Sequence, residues 1–472
     1  MITTIWYTKN FLKAICLMIT VVFTHLTSKS QVISGGSSQS VVICDDNTAW
    51  NWGSGILGIG GGFGDTTMSG EIFGLTNIIA VSAGTGESHG LCLTSENKVW
   101  AWGNNLSGQL GDSTLLDAYF PRLVDIDSCT AISAGANYSI VLKKDSTVWG
   151  WGYDGGRLGD GEFLDRFHPV KMLNSEGSIA ISAGENHTLI LKSDGTVWAC
   201  GANTNGELGD GSTEQRYTIV QVSGLNNIIQ VAAGGEHSLA LNADGTVWGW
   251  GSNFYGQIGD STIIETHLPI QIMGLNNITS ISAGEYHSIF LKNDGTVWGL
   301  GYNSRGELGD GTEISRYSPV NAIGISNVIA IDCGSYHSIA ILNDGNIWAW
   351  GLNEDGQVGP ELDINSYYVI PMDIDGICEE ITSVLTVDKQ NKLQIYPNPT
   401  SNVLTISTQE LSLIKSQIKI YDITGRDLTQ NILIILDSDN IATLDLKGLL
   451  SGFYLISIKS NNGFYSELIC KK

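Results

Sequence analysis

Short runs of alternating apolar and polar residues recur along the chain at a fixed interval. The clearest copy runs Ile281-Ser-Ala-Gly-Glu-Tyr-His287-Ser-Ile-Phe-Leu-Lys-Asn-Asp294-Gly-Thr-Val-Trp298, then Gly-Leu-Gly301-Tyr-Asn303-Ser-Arg-Gly306-Glu-Leu-Gly309-Asp310-Gly311. Its tryptophan recurs at Trp50, Trp100, Trp149, Trp198, Trp248, Trp298 and Trp348, a period of 49 or 50 residues. The β-branched stretch from His287 to Leu291 predicts a strand, and Thr296-Val297-Trp298 predicts the strand that returns. Asp294-Gly295 between them predicts a type I′ hairpin with both residues at positive φ. The glycine-rich phrase Asn-x-x-Gly-x-Leu-Gly-Asp predicts a tight turn. Pro121, Pro169, Pro269 and Pro319 each predict the opening of a short edge strand, where a missing N–H is tolerated. With Asn277–Ile281 as the remaining strand, each unit holds four, the content of one propeller blade. The repeats predict an all-β, seven-bladed β-propeller.

The tryptophans read as packing between blades. In Trp149-Gly150-Trp151 and Trp248-Gly249-Trp250 the spacing of two places both indoles on one face. Gly150 and Gly249 leave the other face flat for a neighbouring sheet. Each buried indole contributes roughly 4–6 kcal/mol gross, an upper bound. A sugar-stacking platform is the alternative. Five of the eight histidines share one repeat position (His89, His187, His237, His287, His337), where the other copies have Gln39 and Tyr138. A ring of metal-binding imidazoles would not tolerate Gln or Tyr, so a structural histidine bonded to backbone within its own blade is expected. The recurrence of His-Ser likewise argues against a catalytic dyad. Asp112, Asp160, Asp210, Asp260 and Asp310 close the Gly-Asp turns as capping carboxylates, with no calcium-loop spacing around them. Gly53-Ser-Gly55-Ile-Leu-Gly58 has a dinucleotide-site spelling, but no helix pattern follows it and the register is that of a blade turn.

Residues 1–30 combine Lys9 and Lys13 with the apolar run Ala14–Phe23 and small residues Ser28 and Ser30, which reads as a signal peptide cleaved near Ser30. That run is too short to span a bilayer, and no transmembrane segment is expected in the mature chain. The propeller is assigned to 31–384, a polar linker to 385–392 and a small C-terminal β-sandwich to 393–472. Ile381-Thr-Ser-Val384 echoes Ile278-Thr-Ser-Ile281, so the far end is expected to supply a strand that the first repeat lacks and so close the ring. The formal charge is −24, and because residues 1–30 hold three lysines and no acid, the remainder carries −27. Such a surface repels nucleic-acid phosphates and favours solubility. Cys44, Cys92, Cys129, Cys200, Cys333, Cys378 and Cys470 are scattered without metal spacing; buried thiols are the simplest reading, with a disulfide left open.

The phrase Ala-Gly-x-x-His-Ser-x-x-Leu…Asp-Gly-Thr-Val-Trp-x-Trp-Gly-x-Asn-x-x-Gly-Gln/Glu-Leu-Gly-Asp resembles the regulator of chromosome condensation repeat over about three quarters of the chain. Kelch repeats share the period but not the phrase. The resemblance implies a seven-bladed propeller closed by pairing of the two termini. The family's eukaryotic founder is a guanine-nucleotide exchange factor, and similar secreted bacterial propellers include a β-lactamase inhibitor that binds through loops on one face. The last 80 or so residues resemble the type A sorting domain of type IX secretion in Bacteroidetes. The elements that carry this are Tyr396-Pro397-Asn398-Pro399, Thr-Gly425-Arg, Gly452-Phe-Tyr454 and the terminal Lys471-Lys472. It implies handling by the type IX machinery and delivery to the outer-membrane surface or the medium.

The function expected is that of an exported binding module for an extracellular protein or glycan, without enzyme activity, cofactor, metal or catalytic residues, and without a nucleic-acid partner. Recognition is expected where blades differ: just before the turn glycine (Asp154, Thr204-Asn205, Phe254-Tyr255, Ser304-Arg305, Glu354-Asp355) and just before the histidine position (Asn137, Glu185-Asn186, Glu236, Glu285-Tyr286, Tyr336). Aromatics with an arginine are typical anchors, which selects Phe254, Tyr255, Tyr286, Arg305 and Tyr336. The alternatives are an exchange-factor-like regulator of a GTPase, and an enzyme acting on extracellular polymer.

Overall fold

The alternation and the turn residues are realised as seven four-stranded antiparallel sheets, at 33–71, 78–123, 129–171, 178–221, 228–271, 278–321 and 328–371 (blades 1 to 7). This computed structural model describes residues 32–44, 46–59, 68–86, 89–359 and 365–371. In the C-terminal part it describes 394–396, 403–407, 418–422, 428–436, 441–450, 452–460 and 463–471. In every blade the strands pair in chain order, and the first strands of successive blades touch one another around the ring, that of blade 7 meeting that of blade 1. Seven apolar clusters each join one blade to the next, the last uniting Ile339, Ile347 and Val358 with Ile33, Val42 and Trp52.

Blade 6 shows how the local chemistry works. Its strands are Ile278–Ala283, His287–Lys292, Val297–Gly301 and Arg316–Asn321. The hairpin is not type I′. Gly295 alone of the Asp-Gly pair has positive φ (78°), its N–H bonds Lys292 O at 3.0 Å, and Lys292 N–H bonds Thr296 O at 3.0 Å. This is the three-residue loop in which a type I turn is closed by one left-handed residue. Asp294 Oδ1 secures it by accepting from the N–H (3.0 Å) and hydroxyl (2.6 Å) of Thr296. Pro319 sits inside the outermost strand, not at its start. The register shifts between Gly299 and Gly301, and that bulge on the edge strand absorbs the missing N–H.

The two indoles of a blade share one inter-blade cluster, as the spacing predicts, but they are buried unequally. Trp52, Trp102, Trp151, Trp250 and Trp350 are fully buried, whereas Trp149, Trp198, Trp248, Trp298 and Trp348 are half-buried. The space over Gly150 and Gly249 is taken by Leu158 and Ile258 from the turn of the same blade, not by a neighbouring sheet.

The histidines bond across the blade boundary, which corrects the expectation of a partner within the blade. His187 Nε2 meets Ser238 Oγ at 2.8 Å, and the same contact links His89 to Ser139, His237 to Ser288, His287 to Ser338 and His337 to Ser40. Ser238 donates its own proton to Glu207 O (2.8 Å), a carbonyl that also accepts the Trp250 indole N–H (2.7 Å). With its hydroxyl proton committed, the serine accepts, so the imidazole is the neutral Nε2–H form. Burial agrees, pushing His187, His237, His287 and His337 down to about 3. Gln39 and Tyr138 are tolerated because they span the same gap, donating to the carbonyls of His89 (2.9 Å) and His187 (2.7 Å) in the next blade.

A second set of bonds closes the ring nearer the axis. Ser34, Ser82, Ser133, Ser182 and Ser282 each accept a backbone N–H from the next blade at 2.9–3.0 Å. Blade 5 has Ala232 at this position and uses Gln230 Oε1 instead, accepting from Ile281 N–H at 3.1 Å. Blade 7 uses Asp332, whose Oδ2 accepts Gly35 N–H at 3.0 Å while Oδ1 accepts the Ser282 hydroxyl at 2.8 Å. These side chains line a cavity of about 160 Å³ at the axis. The residues expected to close the ring, Ile381–Val384, lie outside the described residues. Blade 1 already has a first strand of its own, Ile33–Gly35, three residues long where the other blades have six. The leader and the linker also lie outside the description. Cys44 is disulfide-bonded, while Cys92, Cys129, Cys200 and Cys333 are free and buried.

In the C-terminal part, Gln394–Tyr396, Val403–Ser407, Ile441–Asp445 and Leu433–Leu436 pair in that order, and Ile418–Asp422, Gly452–Ser460 and Gly463–Lys471 form a second sheet. Leu404, Ile406, Ile434 and Leu444 of the first share one core with Ile418, Ile420 and Ile456 of the second, as in a sandwich. No helix among the described residues is long and apolar enough to cross a membrane.

Candidate functional site

An antiparallel blade brings its first-to-second and third-to-fourth connections to the same end of the ring. The hairpins and the links between blades lie at the other. All the variable positions picked out above therefore share one end. The repeated turn there is rigid. Asn303 Nδ2 donates to Asp310 Oδ1 (3.0 Å) and Thr312 O (2.9 Å), and its Oδ1 accepts Leu308 N–H (2.9 Å). Asp310 caps Thr312 N–H at 3.0 Å and pairs with Arg316 at 2.6 Å. Burial works to raise the Asp310 carboxyl, but the bonds from Thr312, Arg316 and Asn303 outweigh it and hold the carboxyl below its usual range. Asp112 and Asp210 are held low in the same way.

On this frame four of the five chosen residues come together. The Phe254 and Tyr255 rings meet at 4.9 Å between centroids, Tyr255 and Tyr286 at 5.2 Å, and Tyr286 and Tyr336 at 6.1 Å. The cluster spans blades 5, 6 and 7. Tyr302, not chosen from the sequence, joins it at 4.9 Å from Tyr255 and 6.1 Å from Tyr336. It follows the strand-ending Gly301, a position that also varies between blades (Ser54, Asn104, Tyr153, Ala202, Ser252, Tyr302, Leu352) and so could have been found. Phe254 is 64% exposed and the tyrosines are half-buried. Arg305 makes none of these ring contacts; it pairs with Glu354 of blade 7 at 3.5 Å. Asp154 is fully buried in the place of the turn asparagine, with Oδ1 accepting Gly156 N–H at 3.0 Å, so it offers nothing to a partner.

Glu285 Oε1 accepts the Tyr336 hydroxyl at 2.8 Å. Burial, then the Glu285 charge, pushes the Tyr286 hydroxyl well above its usual range, with Glu236 and Glu185 adding to it. Burial also raises the Glu185 and Glu236 carboxyls. Neighbouring carboxylates add to this, Glu285 and Glu236 for the first, Glu207 and Glu285 for the second. The site is thus aromatic and acidic.

In the C-terminal sandwich, Tyr454 is buried and donates its hydroxyl to Leu450 O at 2.8 Å, Gly452 opens its strand, and Lys471 is buried with Nζ donating to Leu449 O. Tyr396 ends the strand Gln394–Tyr396. Pro397, Asn398, Pro399, Gly425 and Lys472 lie outside the described residues.

Residues 57–389 match a family model described as RCC1-like domain, and residues 394–472 match the secretion system C-terminal sorting domain. No curated protein matches the chain. Among solved structures, yeast RCC1 (Prp20) bound to Kap60 is similar at 22% identity, over 74% of this chain and 86% of that one, with a TM-score of 0.62. Prp20p from Saccharomyces cerevisiae, described with its binding to Gsp1p and histones, is similar at 24% over 74% and 87%, with a TM-score of 0.63. Human WBSCR16 is similar at 24% over 65% and 84%, with a TM-score of 0.59. At these identities the likeness is one of fold.

Proposed function

Because the chain belongs to the RCC1-like domain family and carries a secretion-system sorting domain, we propose that it is an exported propeller that grips a protein or glycan with the loops at one end of the ring. The sorting domain directs it through type IX secretion to the cell surface or the medium. An exchange-factor role would need a GTPase and GTP beside it, and export removes it from both. The reading calls for no catalytic step.

The observation that carries it is the convergence of Phe254, Tyr255, Tyr286 and Tyr336, drawn from three blades, on one half-exposed aromatic cluster. Rigid aromatics on a fixed frame are the usual anchors of an interface, since they bury much area at little entropic cost. Arg305 would contribute at the rim, where its pair with Glu354 is 43% and 54% exposed and adds little to folding. The test is quantitative affinity capture from surface proteins and glycans, comparing the native chain with one in which Phe254, Tyr255, Tyr286, Tyr302 and Tyr336 are all alanine. Loss of the captured ligand with an intact unfolding transition is expected. An unchanged capture profile would refute the assignment.

A further inference from the structure

Carboxylates stand at the aromatic cluster: Glu285 accepts the Tyr336 hydroxyl, and the charges of Glu236 and Glu185 reach Tyr286. Glu185, Glu236 and Glu285 stand in the first-to-second loops of blades 4, 5 and 6, all half-buried. Among the described residues none of the three forms an ion pair. Arg157, whose field reaches Glu185, is already committed. It bonds the backbone of Glu185 (3.3 Å), the side chain of Asn186 and the backbone of Asp154 (3.2 Å), and lies 4.6 Å from the Tyr153 ring centroid. Arg305 is taken by Glu354.

A fourth acid stands in the blade 6 turn. Glu307 is fully buried; its Oε2 accepts Arg305 N–H at 2.9 Å, while Oε1 is buried without a partner. In two other blades the matching glutamine uses its outer atom on the residue five positions earlier, Gln109 to Asn104 (2.9 Å) and Gln257 to Ser252 (3.4 Å). In blade 6 that position is Tyr302, a member of the cluster. Three carboxylates without an ion pair therefore stand at the aromatic cluster, Glu285 bonded to Tyr336 and Glu236 and Glu185 within electrostatic reach of Tyr286.

Building on the binding role argued above, we propose that the tyrosine cluster with Glu185, Glu236 and Glu285 receives a lysine or arginine side chain of an extracellular protein. An ammonium or guanidinium there would relieve the mutual repulsion of the carboxylates and lie over ring faces, both strengthened by partial burial. The chain's formal −24 charge would steer a basic partner toward it. Phosphate-bearing ligands are repelled. A sugar prefers a flat platform, whereas these rings meet at interplanar angles of 52–87°.

The test uses the full chain and a fluorescent peptide of alternating lysine and glycine, read by anisotropy, beside the same peptide with its lysines acetylated. Acetylation should weaken binding roughly tenfold or more, and so should the joint change Glu185→Gln, Glu236→Gln, Glu285→Gln. An equal loss of charge on the exposed outer loops (Glu214→Gln, Glu265→Gln, Glu313→Gln) should weaken it about twofold at most, as screened long-range attraction does. Equal binding of the two peptides, equal effects of the two triple variants, or a response to neutral oligosaccharides alone would overturn the inference. The binding role fails separately. If the five-alanine variant loses a captured partner that the Glu185/Glu236/Glu285 variant keeps, only the cationic assignment falls; if the five-alanine variant keeps every partner, the binding role falls too.

Discussion

Trp350 and Trp298 occupy neighbouring blades and carry different loads. Trp350 has no exposed surface, and its indole donates to Glu307 O of blade 6 at 2.8 Å. Trp298 is half-buried, bonded within its own hairpin to Thr296 Oγ1 (3.2 Å) and covered by Lys292, whose ammonium lies 4.1 Å from the ring centroid. Trp350→Ala should cost ~3–5 kcal/mol in urea unfolding, since it empties the seam between two blades. Trp298→Ala should cost ~1–2 kcal/mol; equal costs would contradict this division. The histidines give the ring an acid limit. His187, His237, His287 and His337 stay neutral down to about 3 when folded, while the unfolded chain protonates them below about 6.5. Unfolding therefore takes up protons, and stability falls as the pH drops from about 6.5 toward 3. Burial raises Glu307 to about 7 and Asp154 and Asp332 to about 6, and these three act oppositely, losing stability as the pH climbs through those values. Asp112, Asp210 and Asp310, held low in the folded turns, also lose stability toward acid, and together with the four histidines they leave acid as the losing side. His237→Gln, a residue that Gln39 shows can span the junction, should flatten the decline in melting temperature between pH 6 and pH 4, and an unaltered slope would count against it.

At the level of elements, the closing junction puts a carboxylate where five others put a serine. Asp332 does for blades 7 and 1 what serine or Gln230 does elsewhere, and it also holds Ser282 of blade 6. Asp332→Ala would leave the buried Gly35 N–H unpaired and should cost ~1–3 kcal/mol. Asp332→Ser should recover most of that, because serine accepts the same N–H in five other blades. A serine variant no more stable than the alanine one would show that the carboxylate's second bond matters more than the first. Strand identity and blade count were legible from alternation and glycine placement. The hairpin type was not, because Asp-Gly fits both a two-residue and a three-residue loop, and Thr296 bonding to Asp294 selects the longer. The prolines misled for a related reason. A bulge opposite Leu300 lets Pro319 sit mid-strand, and a bulge is a property of the pair of strands.

For the whole molecule, the sorting domain sets where the propeller works. Removing residues 394–472 should leave the protein inside the cell envelope, and fractionation of cells carrying the shortened chain would check this; surface or medium delivery without the domain would contradict it. The strongly negative charge keeps such a protein dispersed and slows approach to anionic surfaces. It leaves basic partners as the ones drawn in.

The sequence by itself determined the repeat, the strands, the number of blades and the repeat positions at which variation accumulates. Each of these follows from spacing within about 50 residues: period-two alternation, left-handed turn positions and the antiparallel return. Only the tertiary structure decided that the histidines reach a serine one blade on, that the second tryptophan of each pair is the deep one, and that Tyr302 completes an aromatic cluster to which Arg305 does not belong. Those contacts depend on how far one blade is rotated against the next about the axis. Residues about 50 apart in the chain meet there, and nothing in their local spacing says which atoms will.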